Sequence, residues 1–309
     1  MVYLCEKCPA RRVKTGVCSF TDLRCDADYS RAPIPYSLYL SSTPPAGRSP
    51  WTLLPDFDTM LHKDCVQHIL YNGGIASDVS CAALKRLLLD GAFGRGTMEE
   101  RVVQMHRYFQ SGRSWSSDSH ECKIFTLRRM NMHKPGAFPT WGLTYKHGHI
   151  KDFVHFSASV AGMFYMTGNR MQRLIVVCLT SLSGFIRHLE KAPAMLSERE
   201  RLRAVDLGQS FLDSMSLLIR SDQIASHQPL YESCWRARPK MHNFWHTVQH
   251  LRHSSINVLV QWSCWQEEDF MGKIARIYRK VHAKVGAQRT LQRYLIYLHI
   301  VLKSGVTLK

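Results

Sequence analysis

From residue 51 onward, apolar residues recur at helical spacing along most of the chain, and this periodicity predicts amphipathic helices. A short apolar run at 51–58 precedes apolar positions 61, 65, 66, 69 and 70, which indicates a brief strand leading into a helix. Further helices are predicted at roughly Ser77 to Leu89, Thr97 to Phe109, Asp152 to His188, Ser197 to Arg220, His242 to His253, Glu268 to His282 and Thr290 to Leu302. The body is therefore expected to be mainly α and helical bundle-like.

Two stretches lack this period. Residues 1–50 hold four of the ten cysteines and six of the twelve prolines, which predicts a small, irregular or β, Cys/Pro-rich segment. Residues 110–148 are rich in Ser, Gly, His and Pro and are expected to form a long loop, where a domain boundary is an alternative. The predicted organisation is thus a Cys-rich segment at 1–50 and a mainly helical domain at 51–309.

Composition excludes several classes of protein. An apolar fraction of 45% with 10% aromatics is enough to build a core, so a disordered chain is not expected. The longest apolar runs, Leu174 to Ile186 and Ile296 to Leu302, are too short to cross a bilayer, so no membrane partner is expected. The first residues show no secretory or transit pattern, which predicts an intracellular protein with reduced thiols.

The N-terminal cysteines are candidate metal ligands. Cys5 and Cys8 form a C-x2-C pair, and Cys18 and Cys25 follow within about twenty residues. Four thiolates can close a tetrahedral zinc site, and a loop-rich segment gains stability from such a clip. Six residues separate Cys18 from Cys25, however, which departs from the usual knuckle spacing, so unpaired structural thiols are the alternative.

A helix over residues 239–253 would carry histidines on one face. His242, His246, His250 and His253 fall opposite the apolar residues Met241, Phe244, Trp245, Val248 and Leu251. An i, i+4 histidine pair can share a metal ion, but zinc would also require an acidic or thiolate ligand from elsewhere. The alternative is a polar helix face that hydrogen-bonds neighbouring elements or phosphate.

Positive charge is concentrated near the end of the chain. The sequence has 41 Lys+Arg against 24 Asp+Glu, a net charge of +17, and residues 235–309 contribute +10 of it, from 13 basic and 3 acidic residues. Such an excess favours polyanionic partners, with DNA foremost. The candidate phosphate-binding residues are Arg236, Arg238, Lys240, Arg276, Arg279, Lys280 and Lys284. A solvated charged face is the alternative.

Acidic residues supply the candidate catalytic groups. Glu268 and Asp269 begin a predicted helix with a basic opposite face, where a carboxylate can hold Mg²⁺ against a nucleic-acid phosphate. Stabilisation of the helix start by negative charge explains the same residues without a site. Asp58 stands where the short apolar run gives way to a helix, a position equally typical of a helix N-cap.

These elements occur in a recognisable order. They are Cys5-x2-Cys8, Phe20-Thr-Asp-Leu, Asp28-Tyr-Ser-Arg-Ala-Pro33, Ser49-Pro-Trp51, Phe57-Asp58 with His62 and Gly73, Pro239-Lys-x-His242-x3-His246, and Glu268-Asp269-Phe-Met-Gly272. The chain resembles a large family of uncharacterised dinoflagellate proteins, which in turn look like the C-terminal half of cut-and-paste transposases with an RNase H-like (DDE-type) core. The resemblance spans most of the chain, but each motif is short.

The resemblance implies a partial RNase H-like α/β core and, if active, a metal-dependent nuclease or transposase. Asp58 would be the second acid and Glu268 the third, with Asp269 as the competing choice and His62, His242 and His246 in support. Nothing before Asp58 resembles the strands that should carry the first acid, and Asp58-x3-His62 is one residue longer than the usual motif. We therefore expect a transposase-derived, nuclear DNA-binding protein with incomplete or lost phosphodiester chemistry. The rival hypothesis is a zinc-clipped helical module that binds proteins.

Overall fold

A computed structural model provides the fold. It describes residues 8–10, 18–30, 37, 41, 65–112, 122–134, 136–142, 145, 147–227, 232–263 and 286–304. Contacts within the chain define two units, Met1–Trp262 and Ser263–Lys309. Each unit is described by itself.

The described residues are mainly helical, as predicted. The first unit contains α1 (Val66–Leu70), α2 (Ile75–Leu89), α3 (Met98–Ser111), α4 (His147–Tyr165), α5 (Arg170–Lys191), α6 (Glu198–Ala225), α7 (Pro239–His253) and α8 (Val258–Gln261), and the second contains α9 (Gly286–Ser304). No strand occurs among these residues, and an isolated antiparallel bridge joins Met195 and Ile256. The mainly α class is confirmed, while an RNase H-like core stays a prediction.

Capping residues set the start of two long helices close to their predicted positions. The Thr97 hydroxyl accepts a hydrogen bond from the Glu100 backbone N–H, and the Glu100 carboxylate accepts one from the Thr97 N–H. Ser197 and Glu200 form the same reciprocal pair at the start of α6. Each pair satisfies backbone donors that a helix start leaves open, so both helices begin where the sequence indicates.

The single helix predicted over residues 152–188 is wrong. The chain forms α4 and α5 instead, separated by a turn that contains Gly168. Asn169 and Gln172 form a capping box, with hydrogen bonds of 2.9 and 3.0 Å, that starts α5. The apolar periodicity continues across this turn, because both helices bury one side against the same core. The periodicity alone therefore does not reveal the turn.

The core of the first unit lies where α4, α5 and α6 pack successively against one another, with α2 on α4. The segment between α3 and α4 is irregular in its described part, as predicted, but its aromatic residues enter this core. Phe125 and Trp141 are buried, and both rings pack against Phe153 of α4, with centroid separations of 5.1 and 4.3 Å. The long loop is thus anchored by aromatic packing.

Helix α7 buries the apolar face that the sequence predicts. All five of its predicted apolar residues are buried, and Phe244 packs edge-on against Phe185 and Phe211 of the neighbouring helices. Gly208 of α6 permits this approach, since a Cβ atom there would lie 2.6 Å from a Val248 methyl group. This close packing fixes the orientation of α7, and therefore the direction in which its histidines point.

The second unit contributes helix α9 to the described residues. Its basic residues Arg289, Arg293 and Lys303 are exposed. The described helices of both units lack the combination of length and apolar character that crossing a membrane requires.

Candidate metal centre

Cys8, His242 and His246 come together although the first two lie 234 positions apart in the sequence. Cys8 Sγ lies 3.2 Å from His242 Nε2, and one ligand atom from each of the three residues lies within 4.8 Å of the others. Cys8 and His242 are buried, and His246 is half-buried. The group offers one sulfur and two nitrogen donors at a single point and can therefore hold a metal ion.

Helix geometry and the N-terminal segment (residues 8–10 and 18–30) place these donors. His242 and His246 are one turn apart on α7, so their rings are neighbours, with centroids 4.7 Å apart. Tyr29 packs edge-on against His242, and the Trp245 indole N–H donates a hydrogen bond of 2.9 Å to the Arg24 carbonyl. The N-terminal segment therefore covers α7 around His242 and Trp245, which explains why His242 is buried rather than solvated.

The separation of Cys8 and His242 is close to that of two ligands of a tetrahedral ion. With Zn–S near 2.3 Å and Zn–N near 2.05 Å, a tetrahedron places sulfur and nitrogen about 3.6 Å apart. The observed separation of 3.2 Å between Cys8 Sγ and His242 Nε2 needs only a few tenths of an ångström of adjustment. Thiolate and imidazole together are ligands typical of zinc among the common divalent ions.

A cysteine beside a histidine also occurs in thiol nucleophiles, which need an accessible sulfur. Cys8 retains only 2% of its accessible surface. A substrate carbonyl could not reach this sulfur without displacing the N-terminal segment. The burial therefore favours a ligand role over a nucleophilic one.

The four predicted thiol ligands separate into three groups. Cys8 belongs to the centre, whereas Cys5 lies outside the described residues. Cys18 is half-buried and Cys25 exposed, and neither joins the group of donors around His242. The sequence indicates that zinc on the histidine pair would require an acidic or thiolate ligand from elsewhere, and Cys8 of the N-terminal segment lies within reach of both histidines.

One predicted phosphate-binding residue has an internal role. The Arg238 guanidinium donates hydrogen bonds of 2.8 and 2.6 Å to the two carboxylate oxygens of Asp78, which is buried. Thr140 donates a further bond of 2.7 Å to the same carboxylate. Burial raises the pKa of Asp78, while Thr140 and Arg238 act in the opposite direction. Arg238 thereby ties the start of α7 to α2 and the long loop.

Lys240 is also used internally. Its ammonium donates to the His68 and Asn72 carbonyls, at 3.0 and 2.6 Å, and so satisfies acceptors at the end of α1. Burial lowers its pKa, and Arg238 contributes to the same effect. Arg236, by contrast, is exposed and lies over the Phe138 ring. The remaining four predicted phosphate-binding residues, Arg276, Arg279, Lys280 and Lys284, lie outside the described residues.

The tryptophans near the basic residues are mostly core. Trp235 and Trp245 are buried, and the half-buried Trp262 packs on His250 with ring centroids 4.3 Å apart. Buried indoles cannot stack on unpaired bases, so these two side chains stabilise the fold. Trp265 lies outside the described residues.

The predicted catalytic residues are not described by the structure. Asp58, Glu268 and Asp269 all fall outside the described residues, as does the supporting His62. A magnesium site formed by these acids therefore stays a prediction. His242 and His246, expected to support that site, instead face Cys8.

Two polar features escaped sequence reasoning. Asp78 sits in the first turn of an apolar helix, where its partners on distant segments leave no local pattern. His155 of α4 and Ser183 of α5 are buried and joined by a hydrogen bond of 2.8 Å. The signal for the second feature was the recurrence of polar residues at i, i+4 within apolar helices. It did not predict the contact, because the single helix expected over residues 152–188 would hold His155 and Ser183 far apart.

Comparisons of the chain with protein-family models, with curated proteins and with solved structures find no match. The resemblance to transposases therefore continues to rest on short motifs. The metal centre is independent of that resemblance, because it is argued from donor atoms and distances.

Proposed function

We propose that the chain is a zinc-clipped helical protein, in which Zn²⁺ bound by Cys8, His242 and His246 fastens the N-terminal segment to α7. The convergence of these three donors carries the proposal. Structural zinc ions act by this principle, since the energy of metal binding becomes folding energy for segments with little core of their own.

A tetrahedral centre has room for a fourth donor. Cys5 precedes Cys8 with the C-x2-C spacing common in zinc sites, and we propose it as the fourth ligand. A Cys₂His₂ set would be closed and structural, whereas a water in that position would make the centre resemble catalytic zinc sites. The two alternatives differ in whether Cys5 is needed for tight binding.

Metal analysis with matched cysteine variants tests the centre. Purified protein should contain about one zinc per chain, and Cys8→Ser should lose it, while Cys25→Ser serves as the control and should keep it. Cobalt substitution should give tetrahedral d–d bands and a thiolate charge-transfer band that weakens in Cys5→Ser if Cys5 is a ligand. Zinc content unaffected by both Cys8→Ser and His242→Ala would contradict the centre.

A second function, DNA binding, is favoured by the charge of the chain. Of the +17 net charge, +10 belongs to residues 235–309. Arg236, Arg289 and Arg293 are exposed, whereas Arg238 and Lys240 are engaged internally. We propose that the exposed basic residues contact phosphate, which would place the protein in the nucleus.

The dependence of DNA affinity on salt tests this second function. Several phosphate contacts should give a steep log–log slope, and each lost contact should reduce it by about 1. Arg236→Gln should lower the slope in this way. A slope worth one phosphate or fewer would instead favour the rival, a zinc-clipped module that binds a protein partner.

Phosphodiester chemistry, inferred from the transposase resemblance, is a separate proposal. The expected activity is absent or incomplete, because the first acid of an RNase H-like core has no counterpart before Asp58. Incubating the protein with duplex DNA and Mg²⁺ tests it. Cleavage that disappears in Asp58→Asn and Glu268→Gln would establish an active nuclease, in which paired metal ions activate the attacking oxygen.

A further inference from the structure

A polar groove lies between α4 and α5, away from the residues of the metal centre. Its volume is about 460 Å³, and it is lined by His155, Ser159, Thr180, Ser183 and Arg187 together with two small residues. His155 and Ser159 are one turn apart on α4, and the other three follow one another at helical spacing on α5. Two polar stripes therefore face each other in an otherwise apolar helix pair.

His155 is the buried centre of this groove. It retains 5% of its accessible surface, and its Nδ1 is joined to the Ser183 hydroxyl at 2.8 Å. With the Ser183 hydroxyl donating to Nδ1, the neutral ring carries its hydrogen on Nε2, which can then donate to a ligand. Burial and the positive charges of Arg187 and Lys151 lower the pKa of His155 to about 3. The imidazole is therefore neutral at physiological pH and surrounded by positive potential.

The positive charge of the groove has no acidic partner among the described residues that line it. Lys151 pairs with Glu190 at 3.1 Å, but the exposed Arg187 forms no ion pair with any described residue. None of the residues that line the groove is acidic. The Ser159 hydroxyl is exposed at the same rim. An anion that accepts several hydrogen bonds would satisfy all of these groups at once.

We propose that this groove binds a phosphate group, with the Arg187 guanidinium, the His155 imidazole and the Ser159 hydroxyl as its donors. Arginine suits this role, because its planar fork donates two parallel hydrogen bonds to a tetrahedral oxyanion. Ser183 is buried whereas Arg187 is exposed in the same groove, so the geometry favours binding of an anion over nucleophilic catalysis by the serine. The site is independent of the proposed zinc centre and of DNA binding by residues 235–309.

Phosphate titration of three proteins tests the proposal. Inorganic phosphate is added at constant ionic strength against chloride, and binding is measured by calorimetry for the wild type, Arg187→Gln and the control Arg220→Gln, which removes an exposed arginine of α6. Saturable binding that weakens about tenfold or more in Arg187→Gln alone is expected. No binding to the wild type, or equal weakening in both variants, would overturn the proposal.

Nuclear magnetic resonance of the His155 ring gives a second readout that a purely structural arginine would not produce. Phosphate should raise the pKa of His155 by about one unit or more, because a bound anion favours the imidazolium. In chloride, Arg187→Gln should raise this pKa as well, since it removes a cation. A His155 pKa that stays the same after both changes would also contradict the site.

A parallel titration with duplex DNA identifies the source of the phosphate group. If DNA shifts the His155 resonance as inorganic phosphate does, the bound group can come from a nucleic-acid backbone. If it does not, the site takes free phosphate compounds.

Discussion

Two buried histidines have opposite surroundings in this protein. His242 faces the Cys8 sulfur and a second imidazole, whereas His155 faces a hydroxyl, with Arg187 and Lys151 nearby. The first environment collects electron-pair donors and suits a cation. The second collects hydrogen-bond donors and positive charge and suits an anion. The neighbours of a buried imidazole, rather than its burial, therefore decide what it can bind.

The largest expected effect concerns the metal side of this comparison. Cys8→Ser should lower the free energy of unfolding by about 4 kcal/mol when zinc is present, because loss of a structural metal is among the most destabilising changes. Denaturant unfolding with zinc, and again with a chelator, measures the effect. The chelator should destabilise the wild type and the Cys25→Ser control to a similar extent but leave Cys8→Ser nearly unchanged. If the chelator does not change the free energy of unfolding of the wild type, His242 would have no metal-binding role to set against His155.

The second-largest effect is expected at the start of α7, the helix that carries His242. Arg238→Gln leaves the buried Asp78 carboxylate with Thr140 as its remaining hydrogen-bond partner. We expect the free energy of unfolding to fall by about 2–3 kcal/mol, which is less than for a fully buried ion pair because Arg238 is half-exposed. Arg236→Gln, two residues away and exposed, should change stability by less than about 0.5 kcal/mol. Thermal unfolding compares the two variants. Equal costs would contradict the internal role of Arg238.

The third prediction concerns the response of His155 to acid. The unfolded imidazole has a pKa near 6.5 and the folded one about 3, so between these values the unfolded state binds more protons. Stability from this residue is complete above pH 6.5 and falls as the pH is lowered, by up to about 1.4 kcal/mol per pH unit. His155→Gln should flatten the decline of unfolding free energy between pH 6.5 and 3, measured at the same zinc concentration. An unchanged slope would mean that His155 titrates normally.

The smallest effect on stability is expected from removing the Ser183 hydroxyl, which is hydrogen-bonded to His155. Ser183→Ala should cost about 1 kcal/mol, since it removes one buried hydrogen bond. Ser159→Ala, at the exposed rim of the same groove, should cost less than about 0.5 kcal/mol while weakening phosphate binding. Chemical denaturation and phosphate titration of both variants separate the supporting hydroxyl from the binding one. A larger stability loss for Ser159→Ala would reverse these roles.

The sequence predicts what depends on local pattern. The capping residues Thr97 and Ser197 mark helix starts, and the apolar face of α7 follows from its period. The turn before Asn169 was missed, because an apolar stripe continues through it and its capping box is a weaker signal than the periodicity around it. Local pattern thus specifies helices better than the turns between them.

The candidate site was predictable only in part. His242 and His246 share a helix, so their pairing follows from a spacing of four. Cys8 comes from the N-terminal segment, and no local rule connects positions 234 residues apart. Arg238 and Lys240 appeared to be phosphate contacts because charge is visible in a sequence, while their internal partners, Asp78 and two backbone carbonyls, are not.

The distance along the chain between Cys8 and its histidine partners has a consequence for biosynthesis. Because synthesis proceeds from the N-terminus at about 5–20 residues per second, His246 is made roughly 10–50 s after Cys8. During that interval the Cys8 thiol lacks the two histidine neighbours that α7 provides. The proposed centre would close only after α7 has been made, so its metal binding would require a chain translated at least to residue 246.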